Sequence, residues 1–173
     1  LRAAVLQALL ARCTQVKTVR LCLTLGRELG LPWVSKLDPT RLPTGSEQRW
    51  VGRSKDGLLV CTGKGAGWLS TTQEYGDFEL ELEFRLPPAG NSGVFLRAPR
   101  EGNPAYQGLE IQVLDDTHEE YKDIQPAQFT GSVYDVVAAS PHVSKPAGQW
   151  QSMRIVCKGP HITVTFNGTQ IID

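Results

Sequence analysis

The chain has 173 residues, is 40% hydrophobic, and balances 18 Lys+Arg against 18 Asp+Glu for a formal net charge of zero. That is enough apolar material for one well-packed domain with a small appendage. The charge balance gives no support for a nucleic-acid footprint, which shows as a basic patch or stripe, and no apolar run approaches the roughly 18 residues of a membrane-crossing helix.

Residues 1–30 place Val5, Leu6, Leu9 and Leu10, then Val16, Val19, Cys22 and Leu23, at spacings of three and four. This period predicts two amphipathic α-helices, separated near Thr14 and ended by Gly30-Leu31-Pro32. The pattern suits either the last unit of a HEAT- or armadillo-like repeat or a helical hairpin packed on the rest of the chain. The opening Leu1–Val5 lacks the charged, apolar and cleavage regions of a signal peptide. With no initiator Met, the sequence is expected to be a segment of a longer protein.

From Trp33 the period becomes two, so the organisation reads as a helical segment over 1–32 and a β domain over 33–173. Short strands are expected at Arg49–Arg53, Leu58–Cys61 and Gly67–Ser70. The clearest strand is Asp77–Leu86, where Phe78, Leu80, Leu82, Phe84 and Leu86 alternate with Glu79, Glu81, Glu83 and Arg85. One face enters a core; the glutamate row reads as a solvated outer face rather than a catalytic cluster. After the Pro87–Gly90 turn come strands at Ser92–Arg97, Gly108–Leu114, Gly131–Asp135, Gln151–Cys157 and Ile162–Phe166. Asn167-Gly168 forms a hairpin turn into Thr169–Ile172, which also explains the glycosylation-like Asn167-Gly168-Thr169. Many short strands joined by Gly/Pro turns indicate a mainly β, two-sheet sandwich or jelly roll.

Gly63-Lys64-Gly65-Ala66-Gly67 lacks phosphate-loop spacing and leads into a strand, so it reads as a turn. Cys13, Cys22, Cys61 and Cys157 show no metal-binding spacing. They read as buried thiols, with a Cys61–Cys157 disulfide as the alternative.

Two strands carry the chemistry. Val94 and Leu96 share one face of the first, leaving Asn91, Gly93, Phe95 and Arg97 on the other. Leu109, Ile111 and Val113 share one face of the second, leaving Gly108, Glu110, Gln112 and Leu114. With the aliphatic sets in the core, Asn91, Arg97, Glu110 and Gln112 converge with Phe95 on one external face. Amides and charges there can bond sugar hydroxyls while an aromatic stacks on a ring face. The plainer reading is a polar outer face with an Arg97–Glu110 cross-strand pair.

Asp77-Phe78-Glu79-Leu80, Asn91-Ser92-Gly93-Val94 with Arg97, Gly108–Asp115, Thr130–Tyr134, Lys145–Trp150 and Phe166-Asn167-Gly168 occur in one order. Together they closely resemble the 3-keto-disaccharide hydrolase domain family, over about Trp33–Asp173. The resemblance implies a concanavalin A-like (laminin-G-like) jelly roll in a periplasmic or extracellular bacterial protein acting on 3-oxo-glycosides. It also fits attachment to other modules, helical repeats among them. Family members continue beyond the Asn-Gly hairpin into further strands. Because this chain stops at Asp173, an exposed sheet edge is expected.

The implied reaction is proton abstraction beside the ketone, an enolate, loss of the anomeric substituent, and addition of water. Glu110 is then the base, Arg97 the enolate stabiliser, and Asn91 and Gln112 the sugar binders, beside Phe95. Asp115 or Asp116 would supply an acid or oxygen ligands to Ca2+ or another divalent metal, and Tyr134, Trp150 and His142 are rim candidates. A retaining glycosidase would need two carboxyls roughly 5–5.5 Å apart, but the same-face neighbour of Glu110 is Gln112. The competing reading is a non-catalytic carbohydrate-binding or adhesion module of laminin-G-like type. A degenerate scaffold domain is a third.

Overall fold

The structure is a computed structural model that describes residues 75–99 and 107–173 in full and, outside them, the backbone of four strands. These four are β1 (Leu6–Gln7), β2 (Lys17–Cys22), β3 (Trp50–Arg53) and β4 (Leu58–Cys61). The fully described part supplies β5 (Phe78–Arg85), β6 (Asn91–Leu96), β7 (Leu109–Leu114), β8 (Gln151–Lys158), β9 (His161–Phe166) and β10 (Thr169–Ile172). One sheet runs β1-β6-β7 and the other β10-β9-β8-β5-β2-β4-β3, antiparallel at each pairing. Among the described residues no helix is long and apolar enough to cross a membrane.

The alternation in β5 sets the architecture. Phe78, Leu80, Leu82 and Phe84 face inward beside Met153, Ile155 and Cys157 of β8 and Val164 and Phe166 of β9. The Phe84 and Phe166 rings stack with centroids 6.0 Å apart. Val94 and Leu96 of β6 and Ile111 and Val113 of β7 close this core from the smaller sheet. Burying each such side chain contributes about 1.5–3 kcal/mol, so the two facing aliphatic and aromatic sets hold the sandwich together.

Asn167 (φ 47°) and Gly168 (φ 85°) are both left-handed, as a two-residue turn matched to the strand twist requires. The Asn167 side chain fastens the turn, donating to the Val143 carbonyl at 2.8 Å and accepting from Ser152 N–H at 3.0 Å. β10 is an edge strand of the larger sheet. Ser140 N–H donates to its Ile171 carbonyl at 3.0 Å.

Several expectations change. Leu6–Gln7 and Lys17–Cys22 are strands where helical period predicts helices; the rest of 1–32 lies outside the described residues. Lys17–Cys22 pairs with β5 on one side and β4 on the other, and hydrogen bonding to two neighbours outweighs a weak local helical pattern. The expected strand Gly67–Ser70 also lies outside the described residues. Gly131–Asp135 forms isolated bridges rather than a ladder, Ile111 to Val133 and Val133 to Val137. Gly131 (φ 88°) and Asp135 (φ 56°) bracket it and interrupt the extended backbone.

Cys157 is a free, fully buried thiol. Cys61 sits on β4, with β2 and β5 between it and β8. Three strand spacings come to about 14 Å, well beyond the roughly 7 Å that a disulfide spans between Cα atoms.

Candidate functional site

The smaller sheet turns one face to the core and the other outward. Register pairs Asn91 with Leu114, Gly93 with Gln112 and Phe95 with Glu110, so these six positions share the outward face. The sheet continues beyond β7 through Gln112 N–H to the Ser132 carbonyl (3.0 Å) and Tyr134 N–H to the Glu110 carbonyl (2.8 Å). Val133 enters the core. Its neighbour Tyr134 is held beside Glu110 by that backbone bond.

Glu110 is half-buried, and its side chain runs diagonally over Gly93. A Cβ placed on Gly93 would overlap Glu110 Oε1 and come within 2.6 Å of Cδ and 2.7 Å of Cγ. The carboxylate thus lies flat against β6, in space that only glycine leaves open. The Tyr134 hydroxyl accepts a hydrogen bond from Gln128 Nε2 at 3.3 Å, and the same nitrogen donates to Asp135 Oδ1 at 2.8 Å. At the other end of the face, the Tyr121 hydroxyl donates to the Ala89 carbonyl at 3.1 Å. Burial pushes the Tyr121 phenol up from its ordinary value; the charge of Glu120 adds to this and a hydrogen bond from Asn91 opposes it. That bond ties the Asn91 amide to the Glu119–Tyr121 turn of 3-10 helix.

Other expected residues are placed differently. Phe95 is only 1% exposed, so it is a buried floor rather than an open stacking surface. Gln112 is 4% exposed, and its Oε1 accepts from Val113 N–H at 3.1 Å. Arg97 does not join Glu110. It has φ 55°, which breaks the period-two alternation after Leu96, and its Nη2 donates to the Gly159 carbonyl in the β8–β9 turn. Trp150 lies just before β8, across from the end of β5, and takes the Arg85 guanidinium over its ring at 5.2 Å. It therefore belongs to the larger sheet, because continuing the Phe84–Gln151 register sets Trp150 opposite Arg85. His142 is exposed and packs its ring on Phe129, centroids 4.2 Å apart, next to the Thr130 that binds the Leu114 end of β7.

Asp115 and Asp116 serve the loops. Asp115 Oδ2 accepts from Ala89 N–H at 3.0 Å and Oδ1 from the Thr117 hydroxyl at 2.8 Å. Asp116 Oδ2 accepts from Thr130 N–H at 3.0 Å and the Ser144 hydroxyl at 2.9 Å. Oxygens turned toward N–H and O–H donors are not arranged as a Ca2+ ligand set. Among the described residues no three His, Cys, Asp or Glu side chains gather to hold a metal ion.

Sequence reasoning placed Gly93 on this face without giving it a role, and missed Tyr121 and Gln128. The first had a legible signal, since a glycine inside a strand pattern marks close approach of another group. The other two sit in loops whose folding back over the sheet leaves no periodic trace.

Residues 33–173 match the profile of a family described as 3-keto-alpha-glucoside-1,2-lyase-like domain. Residues 1–63 match a second profile, described as a transcriptional regulator, AbiEi antitoxin, of a type IV toxin–antitoxin system. It covers a minor part of the chain and is of a different kind from the helical repeat expected there. A 3-keto-disaccharide hydrolase of Bacteroides thetaiotaomicron is 30% identical over 123 residues, which is 59% of this chain and 42% of that protein. A crystal structure described as a candidate glycosyl hydrolase from Parabacteroides distasonis superposes with a TM-score of 0.66 at 31% identity. It covers 76% of this chain and 65% of its own. A second of the same description and organism gives 0.59 at 23% identity, over 72% and 61%, and bears on the fold alone. The chain thus spans less than two thirds of the length of each of these relatives.

Proposed function

Because the chain belongs to the 3-keto-alpha-glucoside-1,2-lyase-like domain family, we propose that it is a glycoside-cleaving enzyme acting on 3-oxo-glycosides, with Glu110 as its general base. The observation that carries this reading is the Glu110 carboxylate, half-buried and laid over Gly93 on a sheet face that also carries Asn91, with the Tyr134 backbone bonded beside it. The names of the relatives point the same way.

A ketone at the third sugar carbon acidifies the C–H bond at the second. Glu110 takes that proton; the bonding pair moves into the C2–C3 bond and the carbonyl π electrons onto oxygen, giving an enolate. A hydrogen-bond donor at that oxygen lowers the barrier. The Tyr134 phenol fills this role in the proposal, because the hydrogen bond it accepts from Gln128 makes its own proton a better donor. Collapse of the enolate expels the anomeric substituent as an alkoxide, which takes up a proton, and leaves a C1–C2 double bond conjugated with the ketone. Water then adds at C1 and the second carbon regains a proton. Asn91, held by Tyr121, is placed to bind a sugar hydroxyl. In this reading Tyr134 takes the enolate role expected of Arg97, because Arg97 Nη2 is directed to the Gly159 carbonyl.

The test is aglycone release from a chromogenic 3-oxo-glucoside and from its unoxidised counterpart, using the full-length protein. Selective release from the oxidised sugar is expected, with hydrogen exchange at the second carbon in heavy water. Glu110→Gln is expected to lower kcat by about 10²–10⁴-fold. Full turnover by Glu110→Gln would remove Glu110 from the mechanism. Binding of both sugars without turnover would instead favour a laminin-G-like binding module. The family reading also carries a periplasmic or extracellular location, checked by fractionating cells that express the full-length protein.

A further inference from the structure

Gly93 is not a glycine for the sake of its backbone. Gly131, Gly148, Gly159 and Gly168 are left-handed, whereas Gly93 is not, and it sits inside β6 in an extended conformation open to any residue. A glycine in a strand interior weakens the strand, so its presence calls for a reason. Gly90 and Gly108 are crowded by backbone atoms and by Cβ atoms that cannot move away, Leu86 and Ala98 among them. Gly93 differs: the three nearest atoms to its missing Cβ are Oε1, Cδ and Cγ of Glu110, the mobile end of one side chain. The two residues are diagonal neighbours rather than directly paired, since Glu110 stands opposite Phe95 and Gly93 opposite Gln112.

We propose that Gly93 is a positioning residue for Glu110: the missing side chain is what allows the carboxylate to lie across β6 where the base must sit. This rests on the reading of Glu110 as base. A methyl group at position 93 leaves the fold an escape, because the atoms it would overlap are the end of the flexible Glu110 side chain rather than backbone. The carboxylate, however, is displaced by more than an ångström. A misplacement of that size can cost about 10²-fold in rate. The geometry thus separates the fold's requirement at this position from the requirement of the site.

The experiment compares wild type, Gly93→Ala and Gly93→Ser in the full-length protein. Three quantities are read: the denaturation midpoint, kcat and KM on a 3-oxo-glucoside, and the carbon-13 chemical shift of the Glu110 carboxylate, assigned by its loss in Glu110→Gln. Expected for Gly93→Ala are an unchanged or higher midpoint, kcat lowered about 10²-fold, KM within about threefold, and a displaced Glu110 carboxylate resonance. Wild-type kcat and an unmoved Glu110 signal in Gly93→Ala would overturn the proposal. So would a loss of activity that only parallels a loss of folded protein. If wild type itself turns over no 3-oxo-glycoside while the Glu110 signal still shifts in Gly93→Ala, the catalytic reading fails and the positioning of the carboxylate by Gly93 stands.

Discussion

The Glu79 carboxylate and the Arg154 guanidinium meet in a two-point ion pair on the outer side of the larger sheet, Nε to Oε1 at 2.5 Å and Nη2 to Oε2 at 2.8 Å. Glu79 is only 6% exposed, so the row Glu79, Glu81 and Glu83 is not the evenly solvated face that its alternation suggests. Glu81 adds a weaker contact at 3.8 Å to the same nitrogen. Arg154 remains about a third exposed, which moderates the strength of the pair. Glu79→Gln and Arg154→Met are each expected to destabilise the protein by about 1–3 kcal/mol. The double variant should recover part of that loss, measured as a coupling of about 1 kcal/mol in urea melts.

Asp115 offers a contrast with Glu110. Its two oxygens accept from the Ala89 N–H and the Thr117 hydroxyl, anchoring the Pro87–Gly90 turn to the end of β7. Asp115→Asn cannot reproduce both bonds without turning an N–H toward a donor, and should cost about 1–2 kcal/mol in the unfolding free energy. Turnover per folded molecule should fall less than tenfold. A loss as large as that of Glu110→Gln would restore Asp115 as a catalytic acid.

Two left-handed glycines separate backbone strain from crowding. Gly168 (φ 85°) has open space where a methyl group would stand, whereas a methyl on Gly131 (φ 88°) would overlap Ile171 Cδ1 in the core. Gly168→Ala should therefore cost about 1 kcal/mol, the left-handed penalty alone. Gly131→Ala should cost about 2–4 kcal/mol, because overpacking adds to it. Equal midpoints for the two variants in thermal or urea melts would contradict this account.

Burial pushes the Cys157 thiol up to about 12; Asp77 adds to the rise and Arg97 opposes it. An unfolded thiol ionises near 8.5. Between these values the unfolded state has lost a proton that the folded state keeps, so this contribution is fully present below about 8.5 and declines as pH rises. The loss approaches about 1.4 kcal/mol per pH unit before flattening near the folded value. Urea melts from pH 8 to 11 should therefore show a steeper loss in the wild type than in Cys157→Val.

Much of the sandwich is legible in period and turn chemistry. Phe78 to Leu86, the Asn167-Gly168 hairpin and the aliphatic sets of β6 and β7 follow from residue type alone, because in a strand the facing of each side chain is set by parity. The same parity places Asn91, Gly93, Phe95, Glu110 and Gln112 on one face. It cannot place Arg97, because one left-handed residue ends the alternation, and the Gly159 carbonyl that holds it is 62 positions away in the chain. Nor can it show that Phe95 is sealed, that Glu79 is paired with Arg154, or that Lys17–Cys22 is shared by two strands. Each depends on a partner brought in from a distant segment.

The division has a physical reason. Local sequence determines which face of a strand a residue occupies and which turns the backbone can make, since both are set by covalent geometry and sterics within a few residues. What lies against that face, how much water reaches it, and whether a carboxylate rests on a glycine or is diverted by a hydrogen-bond donor are decided when the sheets pack. For this chain the sequence determined a β-sandwich with a polar strand pair. Only the tertiary structure decided that Glu110 lies over Gly93, while Arg97 and Trp150 are committed elsewhere.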